Sequence, residues 1–222
     1  MKQCCLWLFL ILATLTGCHT GEPAPPEETG GMPYGKWDFA FFTPKALYAD
    51  VTQALVIDEK GVVYTFRTLD SVQDSAITVG AWNNEVRRHA QFNKARHPPV
   101  MMLFCWDSVI YKKTYETRIV FPASLRTRML APTGQDSYGT TWYDTLLIGL
   151  APEGRVRVWL QNSGIGENLP VEPQRLTTLS GEKLDACKYV PPRINFSYAV
   201  PDGYDRETKE FIKDKTYPYG QW

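Results

Sequence analysis

Histidine is scarce in this chain of 222 residues, limited to His19, His89 and His97, and that scarcity removes most familiar catalytic arrangements. No Gly-x-Ser-x-Gly elbow is present to set a nucleophile beside a base. His89 and His97 lack the short spacing that would bring both rings to one zinc ion, and no pair of cysteines accompanies them. No metal and no cofactor is therefore expected. Net charge is also missing: 24 basic residues balance 24 acidic ones, so the chain carries no electrostatic footprint for nucleic acid. No apolar run reaches the roughly twenty residues needed to cross hydrocarbon. Together these absences argue against an enzyme and leave binding or structural roles in view.

The apolar run that does exist lies at the N-terminus. Met1-Lys2-Gln3 is followed by Cys4 to Leu15, interrupted only by Thr14, and then by Thr16-Gly17-Cys18. A charged start, a short apolar stretch and small residues form the layout of an export signal, residues 1–17. Leu15-Thr16-Gly17-Cys18 resembles the lipobox of bacterial lipoproteins, which implies that Cys18 is acylated and becomes the first residue of the mature chain. A single acyl chain holds only marginally, whereas several together anchor stably. By the same resemblance His19, standing where an aspartate would retain the protein at the inner membrane, implies the periplasmic face of the outer membrane. Residues 18–33 are rich in Pro, Gly and Glu with no apolar period, and read as a flexible tether.

A single globular body is expected over residues 34–222. Trp37, Phe39 and Phe41 alternate with Asp38 and Ala40, which predicts a first strand ending before Pro44. Ala54–Ile57 and Val62–Phe66 flank Asp58-Glu59-Lys60-Gly61, a turn of type I chemistry, and predict a hairpin. A second hairpin runs from Trp142 to Leu150, turns at Ala151-Pro152-Glu153-Gly154 and returns from Arg155 to Leu160. Val100–Trp106 is continuously apolar, as a buried central strand requires, and Tyr115–Phe121 is rich in β-branched and aromatic residues. Helical signal is thin, confined to Asn84–Ala95, Ser124–Leu130 and Asp205–Lys213. The expected fold class is mainly β, one antiparallel sheet or sandwich with a few short helices on its margin.

The body also resembles the proteobacterial lipoproteins grouped as domain-of-unknown-function family 2931. The resemblance rests on Trp106-Asp107-Ser108, Tyr115, Ile119-Val120-Phe121-Pro122, and Tyr143 through Gly149-Leu150-Ala151-Pro152-Glu153-Gly154 into Val156-Arg157-Val158-Trp159-Leu160. That family usually has a second glycine where this chain has Glu153. No catalytic residue follows from it. Some lipoproteins of this kind are similar to periplasmic immunity proteins that neutralise secreted antibacterial lipases, and the resemblance implies that role for a protein partner here.

Several residues stand out as candidate sites. Once Cys4 and Cys5 leave with the signal and Cys18 is acylated, the body retains only Cys105 and Cys187. In an oxidising periplasm they have one intramolecular pairing open to them; the other reading is that Cys105 is a buried free thiol in an apolar strand. On the second hairpin, Val156, Val158 and Leu160 are expected to face the core. Arg155, Arg157 and Trp159 are expected to face outward as a partner contact. The cluster Arg87-Arg88-His89 reads as a solvated helix face. The tail ending in Trp222 either docks on the body or binds a partner. The function expected is thus a lipid-anchored envelope protein that binds a protein partner, with a structural or lipid- or glycan-binding role as the alternative.

Overall fold

The aromatic alternation of the first strand sets the architecture, because one side of an extended chain bearing Trp37, Phe39 and Phe41 must bury all three against something equally apolar. In the computed structural model, which describes residues 31–44, 47–67, 69, 71–72, 81–108, 111–192 and 222, that partner is a second sheet. Phe39 meets Phe66 edge-on at 4.9 Å and Phe41 meets Phe104 at 5.1 Å, ring centre to ring centre.

The elements in chain order are β1 (Trp37–Phe42), β2 (Ala49–Asp58), β3 (Val63–Phe66), β4 (Ser71–Val72), β5 (Lys94–Ala95), β6 (Pro99–Ser108) and β7 (Lys113–Val120). There follow α1 (Ala123–Leu130), β8 (Pro132–Asp136), β9 (Gly139–Ala151), β10 (Arg155–Asn162), β11 (Leu169–Val171) and β12 (Arg175–Ser180). Two six-stranded sheets pack face to face. The first has the order β11-β10-β9-β1-β5, with β8 added to β9; the second has the order β12-β7-β6-β2-β3, with β4 added to β2. The chain is thus a mainly β sandwich with a single described α-helix. It is not purely antiparallel: β1 lies parallel to β9, Asp38 opposite Thr145 and Phe42 opposite Gly149.

Both expected hairpins form. In the β2–β3 turn the Asp58 carboxylate accepts from the N–H of Lys60 (2.8 Å) and of Val62 (2.9 Å), and Gly61 takes the left-handed conformation at φ +78° that a side chain would resist. The Ser124–Leu130 expectation is met by α1, which buries Leu125 and Met129. The expected helix at Asn84–Ala95 does not form. Its backbone is satisfied from outside: the Gln161 side chain accepts from the Arg88 N–H at 2.7 Å and donates to the Arg88 carbonyl at 2.8 Å, and the last two residues become β5. Tertiary partners replace the helical ones. Asp205–Lys213 lies outside the described residues. Met32, placed in the tether by composition, is buried in the core.

Neither outer face of the sandwich is open along its whole length. Residues 81–93 cross the outside of the first sheet, and residues 181–192 cross the outside of the second. This is why β6 and β9 are apolar on both faces, in the manner of strands buried from two sides. Among the described residues no helix is long and apolar enough to cross a membrane.

Candidate functional site

The register of β10 against β9 and of β9 against β1 decides which side chains share a face. Val158, Ile148 and Phe41 line up toward the second sheet, as do Leu160, Leu146 and Phe39. Trp159, Leu147 and Ala40 point the other way, together with Gln161, Thr145 and Asp38. The alternation expected of the second hairpin therefore holds, but the outward position of Trp159 is not an exposed one. Trp159 is 2% exposed. Trp82, carried by the crossing segment, lies 5.5 Å from it and Phe42 lies 5.2 Å from it. Trp82 in turn approaches the backbone at Gly149 so closely that a Cβ there would sit 2.5 Å from its ring. Trp222 is also docked, its ring 6.2 Å from that of Trp82; the five residues before it lie outside the described residues. Arg155 and Arg157 remain exposed, so the partner-contact set expected from the sequence loses its aromatic member.

Arg87 is exposed, but it stands on no helix and is engaged rather than free. Its guanidinium donates to the carbonyls of Asn162 at 2.6 Å and Gly166 at 3.2 Å, and also to that of Gly164. Three carbonyls of one loop are thereby tied to the crossing segment, and Asn168 adds a buried bond from Nδ2 to the Val86 carbonyl at 2.7 Å. Arg126 pairs with Glu59.

Further along the same outer face the register brings together titratable groups that are far apart in sequence. Asp38 stands opposite Thr145, next to Asp144. Burial, with a lesser contribution from Asp144, pushes the Asp38 carboxyl up to about 6, against the lowering effect of a hydrogen bond from Thr145 and of His89 and Lys94. Burial also raises Asp144, and the same Thr145 hydroxyl donates to its Oδ1 at 3.2 Å. Oδ1 of Asp38 is buried with no hydrogen-bond partner. The Tyr34 phenol, donating to the Tyr143 carbonyl at 3.3 Å, is raised first by burial and then by these two carboxylates. Burial thus favours the protonated form of both carboxyls, which stand beside the exposed His89. Sequence spacing alone could not have brought them together, because the pairing of β1 with β9 does so. Among the described residues no group of three or more Asp, Glu, His or Cys is placed to hold a metal ion.

On the second sheet Cys105 and Cys187 are joined, with their Cα atoms 5.6 Å apart. The bond pins residues 181–192 over Leu103. Beside it Glu116, fully buried, accepts at Oε2 from the N–H groups of Asp185 and Cys187, both at 2.9 Å, and at Oε1 from Arg118 at 2.7 Å. Burial alone would raise this carboxyl; the two backbone donors and the guanidinium outweigh burial and hold it below its ordinary range. His97 contributes its backbone carbonyl, which accepts from Trp37 Nε1 at 2.6 Å. Cys18 and His19 lie outside the described residues.

A family model described as "Protein of unknown function (DUF2931)" matches residues 19–220. No curated protein and no solved structure matches the chain.

Proposed function

The chain belongs to the DUF2931 family of proteins of unknown function, and from that premise we propose that it is an envelope lipoprotein, held at the outer membrane through Cys18, whose body binds a protein partner and carries out no reaction itself. The observation that carries this reading is the placement of Arg155 and Arg157. Both are exposed on the strand that leaves the β9–β10 turn, at the end of the sandwich opposite the start of β1. A body tethered at one end presents the other to its surroundings. The turn that sets these arginines is rigid: Gly154 takes a φ of +74° and sits so tightly against Tyr115 and Thr178 that a Cβ would lie 2.9 Å from each. Exposed arginines are frequent anchors of protein interfaces, because the planar guanidinium pairs with carboxylates through two hydrogen bonds at once. The start of the family match at residue 19, one past Cys18, is in keeping with a mature chain that begins there.

The family resemblance supports one partner class for this proposal: a secreted antibacterial effector of lipase type, neutralised at the periplasmic face. Two measurements test the reading. Radiolabelled palmitate should mark the wild type and not Cys18→Ala. Capture of co-expressed lipase-type effectors should fall at least tenfold in Arg155→Glu/Arg157→Glu, a loss of about 1.4 kcal/mol or more. Equal palmitate labelling of both proteins removes the anchor, and undiminished capture by the double variant removes the proposed contact.

A further inference from the structure

The loops at one end of the sandwich converge on the point where the chain enters it. Gly31 lies against the His97 ring, and the His97 carbonyl is bound by Trp37 at the start of β1. Because β9 runs parallel to β1, the β8–β9 turn lies at this end, and because β10 runs antiparallel to β9, so does the loop after Asn162. The β2–β3 turn joins them through the Glu59 N–H, which donates to the Pro98 carbonyl, and α1 joins through Arg126 and Glu59.

Val62 and Val63 at the β2–β3 turn are exposed at this end, and two further side chains project from it almost wholly into solvent. Tyr138 at the β8–β9 turn is 97% exposed and Ile165 in the next loop is fully exposed. Neither stands on a loose segment. The Tyr138 N–H is fixed to Asp136 Oδ1 at 2.8 Å, and the carbonyls on both sides of Ile165 are held by Arg87. The two loops touch, a Cβ at Gly164 lying 2.6 Å from the Thr141 side chain. Behind them Tyr34 and Trp142 form a half-buried pair with ring centres 5.7 Å apart. Lys36, Lys60, Arg126 and Arg128 stand exposed on the same end against Asp136 and Glu167, with Glu59 engaged by Arg126.

We propose that this end of the sandwich rests on a phospholipid surface, with Tyr138 and Ile165 entering the headgroup region. The inference builds on the reading of Cys18 as the lipid anchor. Residues 19–30 allow a reach of at most about 40 Å fully extended, and they enter the body at the end that carries the two tips. Tethering makes the contact intramolecular, so an interaction too weak to recruit a free protein is populated once the anchor is in place. Tyrosine and tryptophan favour the headgroup level, where an apolar ring and a polar edge are both satisfied. A branched aliphatic tip adds buried apolar area, and the basic side chains face anionic lipid.

The test uses the full-length protein with an environment-sensitive fluorophore on Tyr138→Cys, Ile165→Cys or, as a control, Arg157→Cys. The other body cysteines are bonded to each other. Each is mixed with vesicles of phosphatidylethanolamine and phosphatidylglycerol; flotation reports the anchor and emission reports the contact. The expected result is flotation of all three, with blue-shifted emission at 138 and 165 and none at 157. Flotation without a shift overturns the contact and leaves the anchor standing. A shift with flotation but without palmitate supports the contact and removes the anchor. A shift that needs added envelope protein overturns the proposal in favour of a protein docking there.

Discussion

Trp82 meets Trp159 edge-on at 5.5 Å, so an irregular crossing segment completes the burial of a residue on a regular strand. Removing either ring opens a space that the rigid strand beneath cannot close. Trp159→Ala should cost about 3 to 5 kcal/mol, the range for truncating a buried aromatic. Arg157→Ala, two residues away and exposed, should stay within about 0.5 kcal/mol of wild type. Urea denaturation of the two variants side by side checks this. Equal stability would mean that the crossing segment does not seal the face.

The Cys105–Cys187 bond closes a separation of 82 residues, and in the chain-entropy account such a loop contributes about 4 to 5 kcal/mol. Protein made under oxidising conditions and unfolded should show no free body thiol to alkylation. Cys105→Ala/Cys187→Ala should melt at a markedly lower temperature than the oxidised wild type. Two free thiols in the oxidised protein would exclude the bond.

Glu116 gives stability a definite pH dependence. A carboxyl held below its ordinary range stabilises the fold in full above about pH 4.3, the value for an unfolded glutamate, and that contribution is lost as pH falls through the lower folded value. Glu116→Gln should cost about 1 to 3 kcal/mol at pH 7, since it weakens charge-assisted bonds to two backbone donors and to Arg118. Melting curves of variant and wild type should draw together in acid. A gap that is constant with pH would show that the effect is steric.

Asp38 works in the opposite sense. Its carboxyl is raised to about 6, so the folded state favours the proton. The unfavourable contribution of the charge is absent below about pH 4 and complete above about pH 6. Asp38→Asn, which keeps the shape and removes the charge, should raise the melting temperature at pH 7 and lose that advantage near pH 4. A variant less stable than wild type at pH 7 would show that the charged form is the favoured one.

Local chemistry made much of this architecture legible. Asp58 and Gly61 announce their turn, the unbroken apolar run Val100–Trp106 announces a strand buried from both sides, and alternation assigned the facing of Val158 and Leu160. What escaped was everything decided across long stretches of chain. Nothing near Trp159 in sequence says that residues 81–93 lie over it, and local preferences in that segment favour a helix that Gln161 and Arg87 prevent. Asp38 and Asp144 look unrelated until β1 and β9 are paired in parallel. The two cysteines left their pairing open, because an apolar setting suits a bonded and an unbonded cysteine alike.

The placement of β1 inside its sheet bears on the order in which the protein can be assembled. A strand that pairs with β5 on one side and with β9 on the other finds its main partner only when residue 149 is available. Until then β1 lacks its main ladder, although Phe39 and Phe41 already have Phe66 and Phe104 of the second sheet to pack against, and such non-local strand pairing is slow. A chain emerging N-terminus first is thus held back from closing its core until most of it has been delivered. That delay leaves the first sheet to form last and keeps the polypeptide extended while most of it is being delivered.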